Sequence, residues 1–272
     1  MVVASCSDPA SLGLDRKATR EAARVERFVR EYLDRTAAAL ARHAGPLAAA
    51  LEEPEGDPRR RAAYPLIRKL RSPTASRGEA DFDLQTAGLV FLAVLDGEGK
   101  FVVRDEGPEK MYREDLRPRF ACVREALAGR RAYSTGLVPG NDYAVVVAAV
   151  PIQKDGRTLG AFIGVASYPS LARRVERQGS YEAHATDGGL PHAATVRVAL
   201  YWKDKYYSGS VQPELDAFRP KAARRRARLG ESGRYAETIL VQERPFGMAV
   251  RRVDFLGEDA GFVLWRAEPF SD

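Results

Sequence analysis

At 272 residues the chain can bury one large core or two small ones, and 45% apolar with 29% charged residues excludes a disordered or fibrous protein. The longest apolar runs, residues 87–95 and 144–151, are about half as long as a membrane-spanning helix must be. A net charge of +6 favours acidic ligands or anionic surfaces, and two cysteines, Cys6 and Cys122, exclude a disulfide framework.

The chain opens with Met1-Val2-Val3-Ala4-Ser5-Cys6. Val3-Ala4-Ser5-Cys6 is similar to a bacterial lipobox, in which small residues give a signal peptidase access to the backbone ahead of a lipidated cysteine. No basic region and no full apolar region precede it. Three readings of residues 1–14 therefore stay open: a lipobox remnant with Cys6 as the lipidated residue, a chance match in a frayed tail, and the stub of a membrane helix.

Residues 15–51 repeat apolar side chains every three or four positions, from Val25 and Val29 to Leu47 and Leu51, with Arg and Glu opposite. That spacing predicts one long amphipathic helix. At 1.5 Å per residue it would be about 55 Å long, enough to pass two domains or reach from an anchor, and it could equally be a scaffold packed on a sheet. Gly45-Pro46 predicts a kink. A second helix is expected over residues 60–70, then a polar loop over 72–79, so that residues 15–85 form a helical lead-in.

From Thr86 the period changes to that of strands. Two strands meet at a turn on Gly97-Glu98-Gly99, a loop and a short helix follow, and three more strands run to Tyr168. Asp155-Gly156 marks a hairpin, because glycine supplies the positive φ that tight turns need. Residues 144–150 are small or β-branched, which suits an inner strand. Cys122 sits in the apolar pattern of its helix beside Phe120, Val123 and Leu127. It reads as a small buried hydrophobe rather than a reactive thiol.

A helical connector is expected to end near Arg177. Residues 179–194 then read as a linker; their two histidines, His184 and His192, lack the cysteine or carboxylate spacing of a metal site. Strands at 195–202 and 206–211, a helix at 213–229 with Leu215, Phe218, Ala222 and Leu229 inward, and strands at 235–242, 246–255 and 261–265 complete the chain. The run Lys221, Arg224, Arg225, Arg226, Arg228 reads as a solvated helix face. It lacks the aromatic interleaving of a nucleic-acid surface, and no nucleic-acid partner is expected.

The order strand, strand, helix, strand, strand, strand thus occurs twice, at 86–178 and in a smaller form at 195–272. The fold class is α+β: a long N-terminal helix followed by two PAS-like modules, each an antiparallel sheet with flanking helices. Asp115-Leu116, Arg117-Pro118-Arg119-Phe120 and Ala126-Leu127-Ala128-Gly129, together with Asp96-x-x-Gly99 ahead of Val102-Val103, resemble the double Cache sensor domains of bacterial receptors. The resemblance implies an extracytoplasmic, membrane-tethered sensor that takes a small molecule in its first, membrane-distal module.

On that resemblance Arg117 grips a ligand carboxylate, for which the planar guanidinium fork is suited and lysine is not. Phe120 supplies an apolar wall. Arg119 departs from the pattern, standing where an aromatic is expected, and favours a more acidic ligand. Tyr112, Tyr133, Asp142 and Tyr143 are expected at the rim, and Arg104, ending the second strand, at the same mouth. The implied function is a periplasmic sensor domain or sensor lipoprotein for a carboxylate-bearing ligand. The alternative is an interaction protein dimerising through the long helix. With three histidines and no nucleophile, metal or phosphate-loop motif, neither an enzyme nor a cofactor is expected.

Overall fold

A computed structural model describes residues 13–71, 82–107, 109–140, 142–186, 194–210 and 213–268. Cys6, His192 and the loop expected at 72–79 lie outside the described residues. Helix α1 spans Leu14–Glu52 and α2 Asp57–Arg71. A short α3 (Phe82–Thr86) leads into β1 (Phe91–Asp96) and β2 (Phe101–Arg104), followed by α4 (Ala121–Leu127), β3 (Ala132–Gly136), β4 (Val145–Lys154) and β5 (Arg157–Ser167). After α5 (Tyr168–Thr186) come β6 (Thr195–Trp202), β7 (Lys205–Ser208), α6 (Pro213–Asp216), α7 (Ala222–Leu229), β8 (Arg234–Val241), β9 (Arg244–Arg252) and β10 (Ala260–Ala267).

The strands form two five-stranded sheets, ordered β2-β1-β5-β4-β3 and β7-β6-β10-β9-β8. Every pairing is antiparallel. Both PAS-like modules expected from the repeated strand order are therefore present. The chain divides into two compact units. One holds α1 from Arg30 onward with the first sheet; the other holds the start of α1 and the second sheet.

The expected turns form for the expected reasons. At the β1–β2 hairpin the Asp96 carboxylate accepts the amides of Glu98 (2.9 Å) and Lys100 (3.0 Å), and Gly99 takes φ +74°. The β4–β5 turn holds Asp155 and Gly156 at φ +48° and +76°, the paired positive values of a tight hairpin.

Three boundaries differ from the sequence reading. The helix stays continuous through Gly45-Pro46. The connector does not stop near Arg177 but continues to Thr186, with Gly179 close enough to β6 that an added Cβ would lie 3.2 Å from Val196. The helix expected at 213–229 is two short helices parted near Pro220, which has no amide to donate and restricts the residue before it.

The first sheet has two buried faces of different character. Side chains alternate across a strand, so Phe91, Ala93 and Leu95 of β1 share the inner face with Val145, Val147 and Ala149 of β4 and with Ala161, Ile163 and Val165 of β5. Helix α4 covers this face with Cys122, Val123 and Ala126. The other face receives α1. A Cβ at Gly160 would lie 2.7 Å from the Leu51 side chain and 2.1 Å from the Leu95 carbonyl, so only glycine fits there. Tyr32 of α1 donates to the Ala87 carbonyl at 2.7 Å.

Candidate ligand site on the first sheet

Strand β2 ends on Arg104, and the residue that follows it, Asp105, has the opposite charge and sends its side chain to the opposite face. Asp105 is 7% exposed. It accepts the Leu92 amide at 2.8 Å and pairs with Arg71 of α2 at 2.8 Å. Arg71 also donates to the carbonyls of Leu89 and Val90. Burial raises the Asp105 carboxyl pKa, and the Leu92 amide and Arg71 oppose that shift. This clamp ties α2 to the sheet.

Arg104 lies opposite Ala93 in the register and so points to the inner face. Its guanidinium carbon stands 4.2 Å over the centre of the Phe91 ring, and one terminal nitrogen is 3.9 Å from the Met111 sulfur. Its Nε is buried without a hydrogen-bond partner. Among the described residues no carboxylate lies within ion-pair distance of it. Burial lowers its pKa, with partial compensation from Asp105, Glu106 and Tyr143. A buried cation on an aromatic face with no counter-ion is an anion-binding arrangement.

The surroundings are mostly apolar. Met111 and Tyr143 pack against the same inner cluster as Phe91, and Phe120 is fully buried in it. Phe120 reaches Gly136 so closely that a Cβ there would be 2.7 Å from the ring. The structure thus gathers Arg104, Phe120 and Tyr143 against one face, with Phe91 and Met111 as members the sequence reading did not name. Phe91 was recoverable from strand alternation; Met111, in a loop at φ +66°, was not.

Arg117 is placed differently. Its guanidinium forks onto Asp115, with Nε 3.1 Å from Oδ1 and Nη2 2.8 Å from Oδ2, and its own amide donates to Oδ1 at 2.9 Å. The hydrogen bond to Asp115 raises the Arg117 pKa, and the hydrogen bond from Arg117 lowers that of Asp115. The side chain lies across the β1–β2 turn, where a Cβ at Gly99 would sit 2.5 Å from its Cγ. Around it the loop is sewn to β2: the Phe101 amide donates to the Glu114 carbonyl and the Arg113 amide to the Phe101 carbonyl.

Tyr112 has the guanidinium groups of Arg60 and Arg113 at 5.3 and 5.7 Å from its ring centre. Arg119 and Asp142 are exposed. Tyr133 is on the face opposite Arg104, where its hydroxyl donates to Asp34 of α1 at 2.6 Å. Cys122 is fully buried and accepts nothing from solvent; burial pushes its thiol pKa up to about 12. In the second unit, Arg225 departs from the solvated reading of its run. It is fully buried, while Arg224 and Arg226 are exposed.

No family model matches the chain, and no curated protein matches its sequence. Solved structures do. The sensor domain of the histidine kinase DctB from V. cholerae aligns over 96% of this chain and 98% of its own, with TM-score 0.56 and 10% identity. The ligand-binding domain of the Campylobacter jejuni chemoreceptor Tlp3, solved with 4-methylisoleucine, aligns over 99% of this chain and 96% of its own, with TM-score 0.55 and 11% identity. A domain of a sensory box/GGDEF family protein from Vibrio parahaemolyticus gives TM-score 0.55 at 12% identity, over 95% and 97%. The chain shares the two-module fold of these sensor domains, which is that of the double Cache resemblance.

Proposed function

We propose that the chain is an extracytoplasmic sensor domain that binds a small carboxylate-bearing molecule on the inner face of its first sheet. The observation that carries this reading is Arg104: desolvated over Phe91, beside Met111 and Tyr143, and without a described counter-ion. A ligand carboxylate would supply the missing partner, and Phe91, Met111 and Phe120 would hold its apolar part. Arg117, already committed to Asp115, positions the loop that carries Met111 rather than the ligand itself. Tyr143 lies on the same face, whereas Tyr112, Tyr133, Arg119 and Asp142 are supports or rim. Binding, rather than turnover, is the task of such a site. Anchoring through Cys6 would set the domain at a membrane, and metabolic labelling with a fatty-acid analogue tests it.

The dimer reading has less to rest on. The large apolar side chains of α1 are buried or half-buried within the chain, and its exposed positions are mainly charged or small.

The deciding experiment is calorimetric titration of the chain with a panel of mono- and dicarboxylates, repeated on Arg104→Met and Arg117→Met. Ligand at a hundredfold excess over its Kd adds about 2.7 kcal/mol of stability, so thermal shift can screen the panel first. A ligand lost in Arg104→Met and weakened only modestly in Arg117→Met supports the reading. One that binds Arg104→Met as well as the parent chain rejects this site.

A further inference from the structure

The second sheet carries polar groups that its own fold leaves unsatisfied. On its inner face Tyr201, Met248, Val250, Val263 and Trp265 form one buried cluster, and Tyr206, Phe218 and Tyr235 pack against it. Trp265 is 1% exposed, and its indole nitrogen has no hydrogen-bond partner. The Tyr235 hydroxyl is likewise buried without a partner, and so is Nε of Arg219. Buried polar groups are almost always paired. With Nε of Arg225, three groups that can only donate, and a hydroxyl that can donate, remain open on one module.

The register puts the indole and the hydroxyl on the same face of the sheet. Tyr235 of β8 pairs with Val250 of β9, Trp265 of β10 pairs with Met248 of β9, and β9 lies between the two strands. Strands two apart are separated by roughly 10 Å. Val250 and Met248 lie between them, and a small acceptor over that row meets both donors where the two long side chains lean inward over it. Arg225 frames the other side of this face: it stacks 3.9 Å over Tyr201, donates to the Tyr206 hydroxyl at 2.9 Å and pairs with Asp259 at 3.1 Å. Its charge is compensated. Around α7, Lys221 and Arg224 have no carboxylate partner among the described residues, against one unpaired carboxylate, Glu231, so the balance of unpaired charge there is positive.

We propose that the second module holds a binding site of its own for a small monocarboxylate, oriented by the Trp265 indole N–H and the Tyr235 hydroxyl. Open donors call for an acceptor, positive surroundings favour an anion, and the Met248 and Val250 floor suits a short apolar tail. This inference does not depend on the first-module reading.

The test uses the two tryptophans, Trp202 and Trp265. In a nitrogen–proton spectrum of the whole labelled chain they give two indole signals, assigned by Trp265→Phe. Acetate, propionate and pyruvate are titrated as sodium salts against matched sodium chloride. At least one should move the Trp265 signal saturably and leave Trp202 in place. Tyr235→Phe should raise that Kd about tenfold, the loss of one hydrogen bond to an anion. Arg104→Met should leave it unchanged, which separates this site from the first-module one. Tyr235→Phe removes only an open donor, so it should melt no lower than the parent; Trp265→Phe also removes buried ring volume and serves only to assign the signal. A Trp265 signal that none of the three acids moves, that chloride moves equally, or that responds unchanged in a folded Tyr235→Phe overturns the proposal.

Discussion

The two sheets share one strand order yet place arginine on their inner faces in contrasting ways. In the first, Arg104 is half-buried on Phe91 and unpaired among the described residues. In the second, Arg225 is fully buried, stacked on Tyr201 and bonded to Tyr206, Asp259 and the Lys203 carbonyl. The same side chain is a structural strut in one module and, on the proposed function, an open binding group in the other. What separates the roles is whether the fold supplies the acceptors. Topology positions an arginine; the local inventory of acceptors decides its use.

The largest effect should come from Arg225→Ala. It strips Asp259 of a buried partner and removes the cover of Tyr201, costing about 3 kcal/mol of unfolding free energy in denaturant melts. Arg104→Ala should cost well under 1 kcal/mol in the same melts, because it breaks no described ion pair. Equal losses would erase the contrast.

Next in size is the effect on ligand binding. Arg104→Met should weaken a carboxylate ligand by roughly 2–5 kcal/mol, about thirtyfold or more in Kd, as measured by calorimetry. Arg225→Met, if folded, should leave that Kd unchanged.

A third test keeps to the first module. Burial raises the Asp105 pKa above its ordinary 3.8 in the fold. Asp105 therefore adds stability as pH falls through the raised folded value towards 3.8. Asp115 works in reverse: its lowered pKa gives stability that is complete above 3.8 and lost as pH falls through the lower folded value. Thermal melts should show a steeper acid loss in Asp105→Asn and a shallower loss below pH 3.8 in Asp115→Asn. The Asp115 effect should be small, since that group is only partly buried.

The smallest is a matter of reactivity. With its thiol raised to about 12 by burial, Cys122 should resist alkylation at pH 8 in the native chain and react once denaturant unfolds it. Native labelling at the rate of a free thiol would contradict the packed core beneath α4.

Much of the fold was legible because it rests on local rules. Asp96-Gly97 and Asp155-Gly156 announced turns whose amides and positive φ values the structure bears out. The repeated strand order followed from periodicity. The candidate site was less legible because it depends on register and on partner choice. Tyr133 and Arg104 look equally suited to a rim, yet the register sends them to opposite faces. Arg117 looks like the anion-binding residue until Asp115, two residues earlier, occupies its fork. Arg225 was hidden in a basic run, although one signal was there: it lies four residues before Leu229, on the same side of α7, and both are buried.

The end of β2 has a mechanical meaning as well. Arg104 and Asp105 are joined by a single rigid peptide plane, one arm lying on the inner face over Phe91 and the other gripped by Arg71. Only ψ of Arg104 and φ of Asp105 can turn about that plane, and the Asp105 amide is held on the Leu92 carbonyl, so on the proposed function an anion drawing on one arm would load the other against the C-terminal turn of α2. Hydrogen exchange of the last α2 amides, slowed or quickened by ligand in the parent chain but indifferent to it in Arg71→Met, would register that load.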